Sequence, residues 1–414
     1  MRLVACVAWM ACFGLIALGM TRFERPPATA SHGRRAQQID GCSSCHVATV
    51  EQYVKTAHFR TSMGAGVAGV LGRAPAQVMT SVPTTRFRVE RRDDGIHQVA
   101  TWLVADRALA RSERIDLVVG SGRRGQSYLY WKDGLLYQLP LSYLVAGHRW
   151  INSPGYTDGE VHFDRVIPPR CLECHATSFR LEGVPPHVKY AADYELGIAC
   201  QVCHGRAREH RRPGSGDGLP VGGIANPARL TRQQQIDLCA LCHAGADREL
   251  RRAPFTFTPG DRLADHLEPS KDSDKLEPDV HGNQVALLAA SRCFQQSPTM
   301  TCSTCHDVHE TERDARQLST HCIACHAPEA AGKPNVAGAL PERHPTFAGG
   351  VRTCVDCHMP LQPSRLIRMV DGDRTLAPSY RTHRIAIYSS VGRPEARDAG
   401  DERQTASDAD DHDY

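Results

Sequence analysis

The sequence predicts an α+β fold that is mostly helical and irregular, with a small antiparallel β module inserted in its first half. Three observations predict it. Seven copies of Cys-x-x-Cys-His are spread over the 414 residues. A long stretch between the first two copies alternates between apolar and polar residues, as half-buried strands do. Aromatic residues make up only 6% of the chain, so the helical part has few large side chains for an ordinary core.

Each motif has the attachment pattern of a c-type haem. Its two thiols can form thioethers to the porphyrin vinyl groups, and the histidine that follows then places its imidazole on the iron. Zinc ribbons and redox dithiols also use Cys-x-x-Cys, but neither requires a histidine after every second cysteine. The sequence therefore predicts seven covalently bound c-type haems with iron. The covalent sites are Cys42, Cys45, Cys171, Cys174, Cys200, Cys203, Cys239, Cys242, Cys302, Cys305, Cys322, Cys325, Cys354 and Cys357. The proximal iron ligands are His46, His175, His204, His243, His306, His326 and His358.

The first thirty residues have the features of an export leader. Arg2 precedes an apolar run from Leu3 to Met20, and Ala28-Thr29-Ala30 is an A-x-A cleavage pattern. Export agrees with the cofactor, because c-type haem is attached outside the cytoplasmic membrane. The apolar run is just long enough to span a bilayer, so an uncleaved membrane anchor is the alternative. We expect a periplasmic or otherwise exported protein, with membrane association through this segment if it is retained.

The spacing of the motifs suggests how the chain is divided. The second and third motifs are close in sequence, as are the fifth and sixth, so we expect the haems of each pair to be neighbours. The predicted divisions are 1–30, signal peptide or anchor; 31–80, first haem segment; 81–165, β-rich module; 166–390, six-haem domain; and 391–414, disordered acidic tail.

The stretch between the first and second motifs is predicted to form β-strands. Arg86 to Glu90 alternates, and the apolar runs on either side of Lys132-Asp133-Gly134 predict a hairpin. Arginines cluster on this stretch, and they either dock an anionic partner or lie exposed on strand faces. They are Arg86, Arg88, Arg91, Arg92, Arg123 and Arg124.

The basic residues suit haem carboxylates better than nucleic acid. The net charge is only +3, and six lysines stand against 43 arginines. Arginine makes bidentate contacts with carboxylates, and each haem brings two propionates. We therefore expect no nucleic-acid partner.

The distal iron ligands are predicted to be histidines. His306 and His309 are three residues apart and share a helix face, so they cannot bind the same iron from its two sides. His309 should therefore reach a neighbouring haem. The favoured distal candidates are His58, His210, His281, His309, His344 and His383, followed by His187 and His321.

Cys293 is the one cysteine outside both the motifs and the leader. It is either a small buried residue or a thiol that lies near a haem iron or forms an intermolecular bond. Since it precedes Cys302 by nine residues, we expect proximity to the fifth haem.

Several segments resemble exported multihaem cytochromes c. Cys42 to His46, followed by Tyr53 and Thr56-Ala57-His58, resembles the opening of the tetrahaem electron carrier of hydroxylamine oxidation. Larger multihaem cytochromes of this family are similar over further segments, which are 120–129, 150–156, 200–205, 291–297, 302–309, 354–360 and 382–385. The resemblance implies electron transfer, with haem packing like that of hydroxylamine oxidoreductases and haem nitrite reductases. The Cys-x-x-Cys-Lys motif of nitrite reductases does not occur here.

These observations together predict an exported heptahaem cytochrome that relays electrons between redox partners, such as other redox proteins or membrane quinol-linked complexes. The sequence singles out no catalytic residue. One alternative is an oxidoreductase with a five-coordinate haem that acts on a small nitrogen or sulfur compound. Another is a structural subunit of a larger cytochrome assembly or filament.

Overall fold

The structure, a computed structural model of the chain, describes ten stretches of residues. They are 41–66, 69–183, 188–205, 224–245, 248–269, 283–311, 314–326, 353–364, 369–371 and 374–388. Short helices and antiparallel sheets alternate within them, which makes an α+β fold. The predicted leader and acidic tail lie outside the described residues. Among those that are described, no helix is both long and apolar enough to cross a membrane.

Two antiparallel sheets fill the stretch between the first and second motifs. One sheet contains four strands in chain order, β2 (Ala76–Met79), β3 (Thr85–Arg92), β4 (Gly95–Val104) and β5 (Arg107–Arg114). The other has the order β1-β6-β7-β9-β10, with β8 paired to β7. Its strands are β1 (Ser62–Gly64), β6 (Leu117–Val119), β7 (Gly125–Lys132), β8 (Leu135–Gln138), β9 (Leu141–Leu144) and β10 (Arg149–Asn152).

The local sequence explains the hairpins of these sheets. In β3, Thr85, Phe87 and Val89 are buried while Arg86 and Arg88 are exposed, so the period of two places one face on the core. The predicted hairpin at Lys132-Asp133-Gly134 is confirmed, because β7 pairs with β8 on either side of it. Asp133 and Gly134 both have positive φ, 52° and 78°, as a tight two-residue hairpin turn requires.

The two sheets share one hydrophobic core. Phe87 and Ile96 of the four-stranded sheet belong to the same buried cluster as Val118, Tyr128 and Leu141 of the six-stranded sheet. The β region is larger than the small module that the sequence predicts, since β1 and β2 begin before residue 81. These two strands have three and four residues, which is too short for alternation to reveal them.

A second core joins the six-stranded sheet to the second and third motifs. The hairpin β11 (Ala176–Glu182) and β12 (Lys189–Leu196) packs Phe179 and Tyr194 against Trp131 of β7. The second motif directly precedes this hairpin and the third follows it. The strands therefore hold two motif segments at one end of a hairpin, beside the β region.

The remaining elements are short. The described helices are α1 (Val47–Tyr53), α2 (Pro169–Glu173), α3 (Cys200–His204), α4 (Arg232–His243), α5 (Gln284–Ala289), α6 (Arg292–Gln296), α7 (Ala315–His326) and α8 (Cys354–His358). Short 3₁₀ turns span Pro227–Arg229, Leu263–Asp265 and Cys302–Thr304. Two small hairpins follow α8, with β13 (Leu361–Pro363) on β16 (Ser379–Arg381) and β14 (Met369–Asp371) on β15 (Arg374–Leu376).

The arginine cluster of the β region is partly engaged within the chain. Arg124 donates to the Ser379 carbonyl at 2.6 Å and stacks over the Tyr380 ring at 4.7 Å, which ties the six-stranded sheet to the C-terminal hairpin. Arg88 and Arg92 both pair with Glu90, at 3.3 and 2.7 Å. That these arginines dock an anionic partner stays a prediction. Three of the six already make contacts within the chain, which leaves fewer of them for a partner.

Candidate haem-binding sites

Most motifs lie on a single turn of helix. Cys200 to His204 forms α3, Cys354 to His358 forms α8, and the motifs that begin at Cys239 and Cys322 end the longer helices α4 and α7. Positions i, i+3 and i+4 of a helix share one face, so both cysteines and the histidine point the same way. Helix α4 begins with a capping box between Thr231 and Gln234, which fixes where its last turn falls.

The motif cysteines are not joined to one another by disulfides in the described residues. In the same part of the chain, no three His, Cys, Asp or Glu side chains gather as a metal site. Each motif is instead a separate local set of two thiols and one imidazole.

Three proximal histidines have their Nδ1 atoms held by acceptors. His204 Nδ1 lies 3.0 Å from the Ala225 carbonyl, and His358 Nδ1 lies 2.9 Å from the Ala386 carbonyl. A carbonyl can only accept, so Nδ1 carries the proton and Nε2 keeps the lone pair that binds a metal. His175 Nδ1 lies 2.8 Å from Thr61 Oγ1, which orients that ring in the same manner.

Three proximal histidines face a second histidine from a distant segment. The ring centroids are 6.0 Å apart for His58 and His243, 6.0 Å for His204 and His309, and 6.2 Å for His306 and His383. A metal–imidazole bond is about 2 Å, so two imidazoles on opposite sides of one metal have centroids about 6.3 Å apart. The centroid separations of these three pairs are close to that value.

Burial keeps these rings in the form that binds metal. Burial, with the neighbouring His306, lowers the pKa of His383 to about 4. It also lowers the pKa of His204 and that of His243. His309 has its Nδ1 3.3 Å from the Asp307 carboxylate. Neutral imidazole is the metal-binding form of histidine.

The remaining distal candidates are His321 and four histidines outside the described residues. His321 lies on α7 directly before Cys322. His187, His210, His281 and His344 lie outside the described residues, so their assignment stays a prediction.

Sulfur atoms of different motifs are neighbours. Interaction with Cys242 of the fourth motif lowers the pKa of the Cys174 thiol, in the second motif, to about 7. Interaction with Cys239 of the fourth motif lowers the pKa of the Cys302 thiol, in the fifth, to about 7. With haem attached, these sulfur atoms would be thioethers, which carry no proton. The contacts therefore matter here because they place the two motifs of each pair next to one another.

Further contacts extend this set to every motif. Cys200 of the third motif lies beside Cys42 of the first, and Cys322 of the sixth lies beside Cys354 of the seventh. The fourth motif interacts electrostatically with the third through Cys203, and the sixth with the fifth through Cys305. The motifs thus form one contiguous series, 1–3–4–5–6–7, with the second beside the fourth.

Cys293 lies near the sixth motif, because its thiol interacts electrostatically with Cys325. Its expected proximity to the fifth haem stays a prediction. Burial raises the pKa of this thiol, which is half-buried.

Sequence reasoning missed the residues that orient the rings. Thr61 at the His175 ring and Gln284, which hydrogen-bonds His243, come from segments without a motif. Threonine and glutamine are common polar residues, so nothing in their sequence context signals the role.

Short motif helices and oriented proximal histidines are typical of multihaem c-type cytochromes. Comparisons with known proteins agree. The cytochrome c3 family model matches residues 294–368, and the cytochrome c554 and c-prime model matches residues 156–205. The multihaem cytochrome MtrA of Shewanella baltica (strain OS185) is 24% identical over 179 residues, which are 38% of this chain and 52% of MtrA. The chain thus matches about half the length of this curated relative.

Solved structures show a similar fold. The outer cell wall cytochrome OcwA superposes with a TM-score of 0.50 at 15% identity, over 84% of this chain and 78% of OcwA. The undecahaem cytochrome from the S-layer of Carboxydothermus ferrireducens gives a TM-score of 0.39 at 16% identity, over 85% of this chain and 52% of that protein. The first of these supports the overall arrangement of helices and small sheets.

Proposed function

We propose that this chain is an exported heptahaem c-type cytochrome that relays electrons between redox partners. The observation that carries the proposal is the set of three opposed histidine pairs, each with the separation that one iron requires. Histidine on both sides of an iron leaves no position for a substrate. That arrangement suits electron transfer better than chemistry on a small molecule.

The residues of each site have distinct tasks. The two cysteines would hold the porphyrin covalently, and the motif histidine would bind its iron from one side. His58, His309 and His383 would bind from the other side at the fourth, third and fifth motifs. A bound c-type haem supplies an iron that changes reversibly between two oxidation states, and its ligands and burial tune the potential.

The contiguous series of motifs supports a relay. Each motif has a sulfur atom beside a sulfur of another motif, so the groups attached to them would also be neighbours. An enzyme with one active centre would need only the sites that feed it. A series that involves all seven motifs suits transfer from one partner to another.

Location and partners follow from the cofactor and the leader. The A-x-A pattern at Ala28–Ala30 and the attachment of c-type haem outside the cytoplasmic membrane both support export. The partners we propose are other redox proteins or membrane quinol-linked complexes, and the divisions 1–30, 31–80, 81–165 and 166–390 remain our proposed organisation.

Mass spectrometry and electron paramagnetic resonance of the purified, oxidised protein test the proposal. We expect seven haem additions, only low-spin ferric signals, and reduction potentials mostly below the standard hydrogen potential, since methionine raises the potential relative to histidine. Fewer than six haems would contradict the motif assignment. A high-spin ferric signal in the native protein would instead favour an oxidoreductase with one five-coordinate haem.

A further inference from the structure

A buried ion pair lies at the junction of the second and fourth motifs. Arg170 Nη1 contacts Glu173 Oε2 at 2.9 Å, and the two side chains are only 8% and 6% exposed. Charged residues at this depth are rare unless they are paired, because removing each charge from water costs several kcal/mol. A buried ion pair beside predicted haem sites therefore suggests a functional role in addition to any contribution to stability.

The cation of this pair faces both motifs. Arg170 Nη1 also donates to Cys174 Sγ at 3.3 Å, and Nη2 donates to the Leu241 carbonyl at 2.6 Å. Cys174 belongs to the second motif, and Leu241 lies inside the fourth motif, directly before Cys242. The guanidinium therefore sits between the two attachment sites, within hydrogen-bond distance of each.

The carboxylate of the pair is engaged on its other side. Glu173 Oε1 accepts the backbone N–H of Phe255 at 2.8 Å, a contact with the 248–269 segment and not with a motif. Glu173 itself belongs to the second motif, directly before Cys174, so a buried cation and a buried anion both lie beside the attachment sites. Charges in a buried site are weakly screened, so both charges act on neighbouring groups at physiological salt.

One donor of Arg170 remains. Its Nε is buried and has no acceptor within the described residues. A buried donor without an acceptor is costly, which indicates that a group outside the polypeptide completes its bonding. An anionic group such as a haem propionate has the chemistry that a guanidinium N–H takes.

We propose that Arg170 raises the reduction potentials of the haems held by the second and fourth motifs, with Glu173 limiting the size of that effect. The inference rests on the proposed function. Reduction adds one negative charge to a haem, so a nearby buried cation stabilises the reduced form and a buried anion destabilises it. The ion pair then sets the reduction potential of the haem at the second motif relative to the potentials of the haems at the other motifs.

Single variants of opposite sign test the proposal. In a spectroelectrochemical titration of the haem-loaded protein, Arg170→Met should lower the potential of about two of the seven one-electron steps. Glu173→Gln, which keeps the size of the side chain and the contact with Phe255, should raise the same steps. We expect each shift to reach a tenfold change in the ratio of reduced to oxidised haem, about 59 mV for one electron.

Controls separate charge from structure. Arg180 and Glu182 form a pair of the same chemistry at 2.8 Å on β11, but their side chains are 59% and 54% exposed, so Arg180→Met should leave the titration unchanged. Arg170→Lys keeps the charge and should restore most of the wild-type curve. Should Arg170→Met lose a haem by mass, Glu173→Gln and Arg170→Lys still decide the matter.

Several results would overturn the inference. They are superposable curves for Glu173→Gln and the wild type, shifts of the same sign for both single variants, or an equal shift in Arg180→Met. A wild-type protein that lacks haems at these motifs would refute the proposed function instead, so the two failures are distinguishable.

Discussion

Replacing His383 with alanine is the most direct test of the distal ligands. The His383 ring stands 6.2 Å from that of His306, with planes tilted by 36°. Alanine ends at Cβ, which withdraws the ligand far beyond a metal–ligand bond of about 2 Å. The iron then keeps one histidine and, at most, a weaker ligand such as water. We expect one-seventh of the haem iron, that of the fifth motif, to change from low spin to high spin.

The surrounding chain should survive the change. Ser291 Oγ donates to the His383 carbonyl at 3.3 Å, and the Ile385 N–H donates to Ser291 Oγ at 2.8 Å. These contacts do not involve the imidazole, so they should keep the segment in place after truncation.

The assay is quantitative electron paramagnetic resonance of the oxidised protein, with haem content measured by mass. His97→Ala is the matched control, because His97 is a buried histidine on β4 that bonds Asp94 at 2.8 Å and faces no motif. It should yield no high-spin iron. Seven retained haems with an unchanged low-spin spectrum in His383→Ala would refute the ligand assignment. High-spin iron in both variants would point to general damage.

Three further predictions concern individual side chains. The rings of His58 and His243 are nearly perpendicular, at 89°. Perpendicular ligand planes give low-spin ferric haem a highly anisotropic electron paramagnetic resonance signal, so His58→Ala should remove the most anisotropic signal of the spectrum. Persistence of that signal would contradict the pairing of His58 with His243. Cys293→Ser should leave spectrum, potentials and native mass unchanged if the thiol only packs, whereas a changed haem would place it at the sixth motif. Burial lowers the pKa of His162, but its two carboxylate partners raise it by more. The resulting stabilisation is complete below the unfolded pKa of about 6.5 and is lost as pH rises through the raised folded pKa. Because the side chain is 37% exposed, His162→Gln should lower the free energy of unfolding in urea by less than about 1 kcal/mol at acid pH, and should leave it unchanged at alkaline pH. A loss of unfolding free energy that does not depend on pH would refute this linkage.

Local chemistry could be predicted from the sequence. Both thioether positions and the proximal histidine lie within five consecutive residues, so one turn of chain suffices to form the site. The β7–β8 hairpin was predictable for the same reason, since Asp133 and Gly134 set the turn by their own backbone preferences. The Cys-x-x-Cys-His motifs and the hairpin are properties of short segments.

Only the tertiary structure decided which segments meet. His58 faces His243, and Arg170 reaches Leu241, across long stretches of chain whose spacing carries no information on contact. Cys293 is a further example, because its thiol interacts electrostatically with Cys325 of the sixth motif, which the spacing did not indicate. The strands β1 and β2 were likewise hidden, since their partners β6 and β3 stabilise them more than their own few residues do. Pairings of this kind depend on the packing of the whole chain, which no single segment encodes.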